Sequence, residues 1–266
     1  MNLLSRFRKA PPVLSDTLQA EYDMRVAELE EQKNIRSSNT YEFMRLFEHL
    51  HGPLNFDGHV IARLARLTGT SLLEGAYILK ALRDTQAVAG DWCEYGVATG
   101  RTSALLAQAI KPPRKLWLYD SFEGLPAPHA SKDVLITDLY NKGSMEAYQG
   151  MLSFPEQIVR GELASVRPGD DWFRITKGWI TAESLKTTSP AQIAFAYLDM
   201  DFYQSTLDVL LMLVELMPKG GVAIVDDYGQ FSEGVRIAVS EIMEAHPGAW
   251  SLEHPFTSKF VVLTRC

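Results

Sequence analysis

Cysteine is scarce in this chain: two among 266 residues, Cys93 inside an apolar run and Cys266 at the end. That excludes a disulfide framework and a zinc site built on thiolates, and it leads us to expect a reducing, cytoplasmic setting. Positive charge is also in short supply, with 26 Lys and Arg against 33 Asp and Glu and a formal net charge of -7. Neutralising phosphate needs clustered cations, so a nucleic-acid partner bound through a broad basic face is excluded. No apolar run reaches the roughly 18 residues of a membrane span. The opening Met-Asn-Leu-Leu-Ser-Arg-Phe-Arg-Lys turns charged too early for a secretory signal. We therefore expect no membrane partner. The six histidines show no ligand spacing and read as surface or core residues, except that His129 falls in a loop facing the expected site and is a candidate for substrate contact. A Gly-x-Ser-x-Gly elbow is absent too, which removes the usual hint of an α/β-hydrolase.

What the chain does have is apolar material, 46% of its residues, enough for one core plus a helical extension. Residues 1–14, ending in Ala10-Pro11-Pro12, offer little to bury and read as a mobile tail. From Ser15 or Asp16, either a suitable N-cap, Leu18, Tyr22, Val26 and Leu29 recur at helical spacing. Further helical patterns follow at 41–50, 58–67 and 71–84, so residues 1–85 read as an N-terminal helical extension. Beyond Gly90 short β-rich runs alternate with helical stretches, the pattern of an α/β fold with a mostly parallel sheet covered on both faces. The runs are Asp91 to Val97, Leu116 to Asp120, Phe173 to Thr176, Ala194 to Asp199 and Gly221 to Asp226, and Trp250 to Pro255 with Lys259 to Thr264 close the sheet at seven strands. Residues 123–150 lack a period, and a loop of that length inside a domain is more often functional than idle.

In an open α/β sheet ligands sit beyond the carboxyl ends of the strands. The first run delivers Glu94-Tyr95-Gly96-Val97-Ala98-Thr99-Gly100 and then a helix from about Thr102. Its glycines let the backbone turn and approach a ligand, yet it matches neither Gly-x-Gly-x-x-Gly nor a Gly-Lys-Ser/Thr phosphate loop. Its carboxylate repels phosphate and suits S-adenosylmethionine, which carries an ammonium and a sulfonium. The second run ends in Asp120-Ser121, where a carboxylate can accept from both ribose hydroxyls. The third ends in Lys177-Gly178-Trp179, offering either a ring to stack on adenine or a merely packed Trp. The fourth and fifth end in Asp199-Met200-Asp201 and Asp226-Asp227-Tyr228. Four carboxylates at adjacent strand ends repel one another unless a cation neutralises them, and oxygen ligands favour Mg²⁺ or Mn²⁺ over zinc. The plainer alternative is that Asp201 or Asp227 caps a following helix.

These blocks together resemble the macrocin O-methyltransferase (TylF-like) family over about residues 70–228. The carriers are Glu94-x-Gly96-Val97-x-x-Gly100, Asp120-Ser121-Phe122-Glu123-Gly124-Leu125-Pro126, Lys177-Gly178-Trp179, Leu198-Asp199-x-Asp201-x-Tyr203-x-Ser205-Thr206 and Gly220-Gly221-x-x-Ile224-Val225-Asp226-Asp227-Tyr228. The resemblance implies a Rossmann-like class I methyltransferase fold in residues 86–266, S-adenosylmethionine as donor, catalytic Mg²⁺ and a sugar hydroxyl as acceptor. By position Glu94, Gly96 and Gly100 would line the methionine moiety, Asp120 and Ser121 the ribose, and Trp179 the adenine side, with Ser103 and Gly178 also among the cofactor-binding residues. Asp199, Asp226 and Asp227 would hold the metal and Asp201 would be the general base, with Asp199 and Asp201 the catalytic pair. Met200, Gln204 and Tyr95 depart from the Gly, Glu and Cys usual there, which bears on the acceptor pocket. A diol on a glycosylated small molecule is the expected acceptor and a homo-oligomer the expected assembly. The rivals are a metal-independent methyltransferase of this fold, a silent cofactor-binding scaffold, and a nucleotide-dependent oxidoreductase, the last disfavoured by the missing third glycine.

Overall fold

Short β-branched and aromatic runs separated by helix-length stretches can bury themselves only by pairing in parallel with the helices laid across both faces. The computed structural model describes residues 16–255 and 259–266 and has this architecture. The strands are β1 (Asp91–Tyr95), β2 (Leu116–Asp120), β3 (Phe173–Lys177), β4 (Ile193–Leu198), β5 (Val222–Val225), β6 (Trp250–Glu253) and β7 (Val261–Arg265). They form one sheet in the order β3-β2-β1-β4-β5-β7-β6. The first five pair in parallel, whereas β7 runs antiparallel to β5 and β6 antiparallel to β7. The expected seven-stranded, mostly parallel sheet is therefore present. The order reverses direction beside β1, which opens a crevice between the carboxyl ends of β1 and β4.

The helices are α1 (Asp16–His51), α2 (Gly58–Leu64), α3 (Leu72–Asp84), α4 (Arg101–Ala109), α5 (Glu156–Val166), α6 (Ala182–Thr188), α7 (Tyr203–Leu216) and α8 (Glu233–Ala245). One face of the sheet packs on Ile78 and Leu79 of α3, Leu105 and Leu106 of α4, and Val159 and Leu163 of α5. The other packs on Leu185 of α6, Val209 and Leu213 of α7, and Val239 and Ile242 of α8. β4 lies between both layers with all six residues buried, as a central parallel strand should.

Two readings of the N-terminal region change. The patterns before Lys33 and at 41–50 belong to one helix, α1, of 36 residues. Its last two turns bury Met44 and Phe47 in the same core as the sheet, while residues 19–25 are exposed throughout. α3 likewise shares that core, so the helical region up to residue 85 continues into the sheet's own packing. The tail over residues 1–14 and the candidate cap Ser15 lie outside the described residues. Among those described, no helix is long and apolar enough to cross a membrane.

Candidate active site

The loop after β1 is shaped by a close approach of backbone to backbone. Gly96 has φ +83°, and a Cβ there would lie 1.7 Å from the carbonyl oxygen of Asp199, so only glycine fits. The adjoining turn is held by Asp120. Its Oδ2 accepts the amides of Val97 (2.8 Å) and Ala98 (2.9 Å), and its Oδ1 accepts that of Phe122 (2.7 Å). A carboxylate offers about four acceptor sites. Three being used, Asp120 retains about one for a ligand, where the sequence led us to expect two ribose hydroxyls.

A cavity of about 670 Å³ opens here, lined among others by Gly96, Asp120, Ser121, Trp179, Asp199, Asp201, Asp226 and Asp227. Eight of the sequence-selected residues thus come together at one opening, a size that suits a small-molecule site. Trp179 is 43% exposed, so its ring is available for stacking rather than packed under a helix. Glu94, Gly100, Ser103 and Gly178 do not line this cavity. Glu94 and Ser103 are buried behind it, and Glu94 Oε2 and Ser103 Oγ have no hydrogen-bond partner among the described residues. Burial pushes the Glu94 carboxyl up to about 8, opposed by neighbouring Ser103 and reinforced by the charge of Asp120. His129 lies outside the lining; its ring packs edge-on against Tyr203 at 5.3 Å.

The strand-end aspartates converge. Asp199, Asp226 and Asp227 each present a carboxylate oxygen, and the three oxygens lie within 4.8 Å of one another. The backbone imposes this: the amide of Asp199 donates to the Tyr95 carbonyl and that of Asp226 to the Leu198 carbonyl, both at 2.8 Å. Asp201 and Asp227 sit in the left-handed region at φ +65° and +54°, a conformation that costs non-glycine residues energy and clusters at functional sites. Neither caps a helix. The N-cap of α7 is Phe202, without a side-chain bond, and that of α8 is Ser232. The helix-cap alternative therefore falls.

Burial and mutual repulsion raise the carboxyls of Asp199, Asp201 and Asp227. Asp199 and Asp227 are held well above the usual range by burial and then by the charge of Asp226. Asp201 rises to about 7 through burial and the charge of Asp199, with a hydrogen bond from Asp227 pulling the other way. Three converging oxygens, largely withdrawn from water, with the charged forms of Asp199 and Asp227 disfavoured, form a donor set that fits a hard divalent ion.

Two charged residues at the site carry no sequence signal that singled them out. Lys259 donates to both oxygens of Asp226 and, at 3.0 Å, to Glu74 Oε2. Glu74, fully buried at the start of α3, also accepts from the Tyr197 hydroxyl at 2.9 Å. Glu74 was visible only as the third residue of a Ser71-x-x-Glu74 capping box, which is a structural signal. Burial opposes the charge on Lys259, but Asp226 and then Glu74 raise its pKa well above the usual lysine range.

Over the cavity lies the loop between β2 and α5, whose one regular turn is a 3₁₀ segment at Glu146–Tyr148. Asp133 pins it down by accepting the Tyr203 amide (2.8 Å), the Ser232 hydroxyl (2.9 Å) and the His129 amide (2.7 Å). It exposes Val134, Ile136, Leu139 and Tyr140, of which Leu139 and Tyr140 also line the cavity and give its mouth an apolar rim. Inside, Gln230 lines the cavity with a buried carboxamide oxygen that has no partner among the described residues.

Comparison with known proteins is consistent with this geometry. The family model for macrocin-O-methyltransferase (TylF) matches residues 74–254, a span holding six of the seven strands. A relative is the 8-demethyl-8-(2,3-dimethoxy-alpha-L-rhamnosyl)-tetracenomycin-C 4'-O-methyltransferase of Streptomyces olivaceus, 30% identical over 145 residues, which are 53% of this chain and 54% of that protein. Demethyldecarbamoylnovobiocin O-methyltransferase of Streptomyces niveus is likewise 30% identical over 145 residues, 53% of each chain. The chain thus matches about half the length of these curated relatives. Among solved structures, the O-methyltransferase NovP aligns with a TM-score of 0.59 at 24% identity, over 74% of this chain and 83% of its own. CalS11, a calicheamicin methyltransferase, aligns at 0.56 and 18% identity, over 87% and 91%. These two share the fold. The family match, running from α3 through β6 across the converged strand ends, shows that the chain belongs to the macrocin O-methyltransferase (TylF) family.

Proposed function

We propose that this protein is an S-adenosylmethionine-dependent O-methyltransferase, assisted by Mg²⁺ or Mn²⁺, that methylates a sugar hydroxyl on a glycosylated small molecule. The observation that carries the reading is the meeting of three carboxylates, Asp199, Asp226 and Asp227, in the same cavity as the Gly96 turn, Asp120 and Trp179. Asp199, Asp226 and Asp227 would hold the ion, which when bound supplies stabilisation of a developing alkoxide and a template for vicinal hydroxyls. S-adenosylmethionine supplies the methyl group on its sulfonium.

This chain's residues do the rest. Gly96 lets the backbone reach the methionine portion, Asp120 accepts a ribose hydroxyl, and Trp179 stacks on the adenine. Asp201 takes the proton of the acceptor hydroxyl as the hydroxyl oxygen attacks the methyl carbon and the carbon–sulfur bond breaks, its electron pair staying on sulfur to leave S-adenosylhomocysteine; a carboxyl near 7 is matched to that task at neutral pH. Gln230 accepts from a second donor on the substrate, and the rim of Leu139 and Tyr140 receives the apolar body that carries the sugar. The exposed side chains of Tyr22, Met24 and Leu29 on α1 support assembly with further copies of the chain, in the cytoplasm.

The test is transfer from methyl-labelled S-adenosylmethionine to a panel of apolar glycosides bearing free vicinal diols, read by mass. Wild-type protein with Mg²⁺ gives a product one methyl heavier; Asp226→Asn, or chelation by EDTA, abolishes it while cofactor affinity is kept. Full turnover in EDTA overturns the metal role and favours the metal-independent rival, which the pairing of Lys259 with Asp226 makes specific. Failure to bind S-adenosylmethionine overturns the reading as a whole.

A further inference from the structure

The acidic cluster already contains a cation of its own. Lys259 Nζ lies 2.6 Å from Asp226 Oδ1, is slightly closer to Oδ2, and reaches Glu74 Oε2 at 3.0 Å. An ammonium has three donors, and all three are committed here. The lysine's backbone is committed as well: its carbonyl accepts the Tyr228 amide at 2.8 Å, tying down the segment that carries Asp226 and Asp227. The partners are dry, with the side chains of Glu74 0% and Asp226 4% exposed. Lys259 lies beyond the family match over residues 74–254, whereas Glu74 is its first residue.

Two roles fit an ammonium in this place. It can serve as the counter-ion that makes a buried Glu74 tolerable, a purely structural task. Alternatively it can fix the plane of the Asp226 carboxylate so that one of its oxygens faces those of Asp199 and Asp227. The geometry distinguishes them by emphasis: two of the three contacts go to Asp226 and one to Glu74. Glu74, moreover, has other donors, the Tyr197 hydroxyl and the Ser71 amide. We propose that Lys259 is a positioning residue for the divalent-ion site, orienting the Asp226 carboxylate toward Asp199 and Asp227 with Glu74 as the anchor that holds the ammonium in place. The inference rests on the metal reading above.

The test is Mn²⁺ binding, followed by the loss of the free-ion paramagnetic resonance signal, with S-adenosylmethionine affinity measured in parallel as a check on the fold. The informative variant is Glu74→Gln combined with Lys259→Met, which removes the ammonium together with the carboxyl that anchors it. Loss of an outer partner of a metal ligand costs about 10–100-fold in metal affinity, and that loss is expected here with cofactor affinity unchanged. Glu74→Gln alone keeps the ammonium on Asp226 and should bind Mn²⁺ within a few-fold of wild type. Wild-type affinity in the double variant overturns the inference and leaves Lys259 as a counter-ion to Glu74. A loss in Glu74→Gln as large as in the double variant also overturns it. Wild-type protein that binds no Mn²⁺ overturns the metal reading and this inference with it.

Discussion

At the scale of single residues the account turns on what burial does to carboxyl groups. In the proposed mechanism Asp201, raised to about 7, is the proton acceptor, so Asp201→Asn should lower kcat by roughly 10²–10⁴-fold with little change in the KM for S-adenosylmethionine. A matched loss of cofactor affinity in steady-state kinetics would instead make it a binding residue. Glu94 makes the opposite case, an acid that burial keeps protonated up to about 8 against an ordinary 4.5. With its folded pKa raised, its contribution to stability is full below about 4.5 and is lost as pH rises through about 8. That loss amounts to up to about 5 kcal/mol over the window. Glu94→Gln should therefore flatten the fall of Tm between mildly acid and mildly alkaline buffer; an unchanged slope would contradict the assignment. The strand-end aspartates were legible because a run that ends in Asp-x-Asp or Asp-Asp is chemically conspicuous. Lys259 and Glu74 were not, because a lysine before a strand and a glutamate in a capping box are ordinary in sequence and acquire meaning only when the fold brings them, 185 residues apart, to one carboxylate.

Among the elements, the loop from β2 to α5 shows how a segment with no period can still have a defined place. Nothing in residues 123–150 announces that Asp133 will take three hydrogen bonds, two of them from elements far along the chain. Gly234, at the start of α8, leaves the room: a Cβ there would fall 1.8 Å from Asp133 Oδ1. Gly234→Ala should expel that carboxylate and cost about 1–3 kcal/mol. Faster proteolysis within the loop, at unchanged cleavage elsewhere, would report its release; equal cleavage and equal Tm would contradict the pinning role. α1 was legible as helix but not as one helix. Ser37-Ser38-Asn39 interrupts its apolar spacing, and the helix continues because these residues lie mostly at the surface while the Thr40 hydroxyl bonds back to the Arg36 carbonyl at 2.8 Å.

For the molecule as a whole, alternation of strand and helix was enough to give the fold class, since parallel strands leave few other ways to bury both faces of a sheet. The strand order is a property of three dimensions, yet its functional consequence was readable, because every carboxyl end of β1, β2, β4 and β5 carries a polar block and all four open on one cavity. The central claim is that this convergence exists to hold a divalent ion beside the methyl donor. The most direct measurement is an anomalous difference map from a crystal grown with Mn²⁺ and S-adenosylhomocysteine. The account predicts a single strong peak bounded by Asp199, Asp226 and Asp227, next to the cofactor's sulfur. A map with no peak there, and with those oxygens satisfied by Lys259 and backbone amides alone, would contradict it.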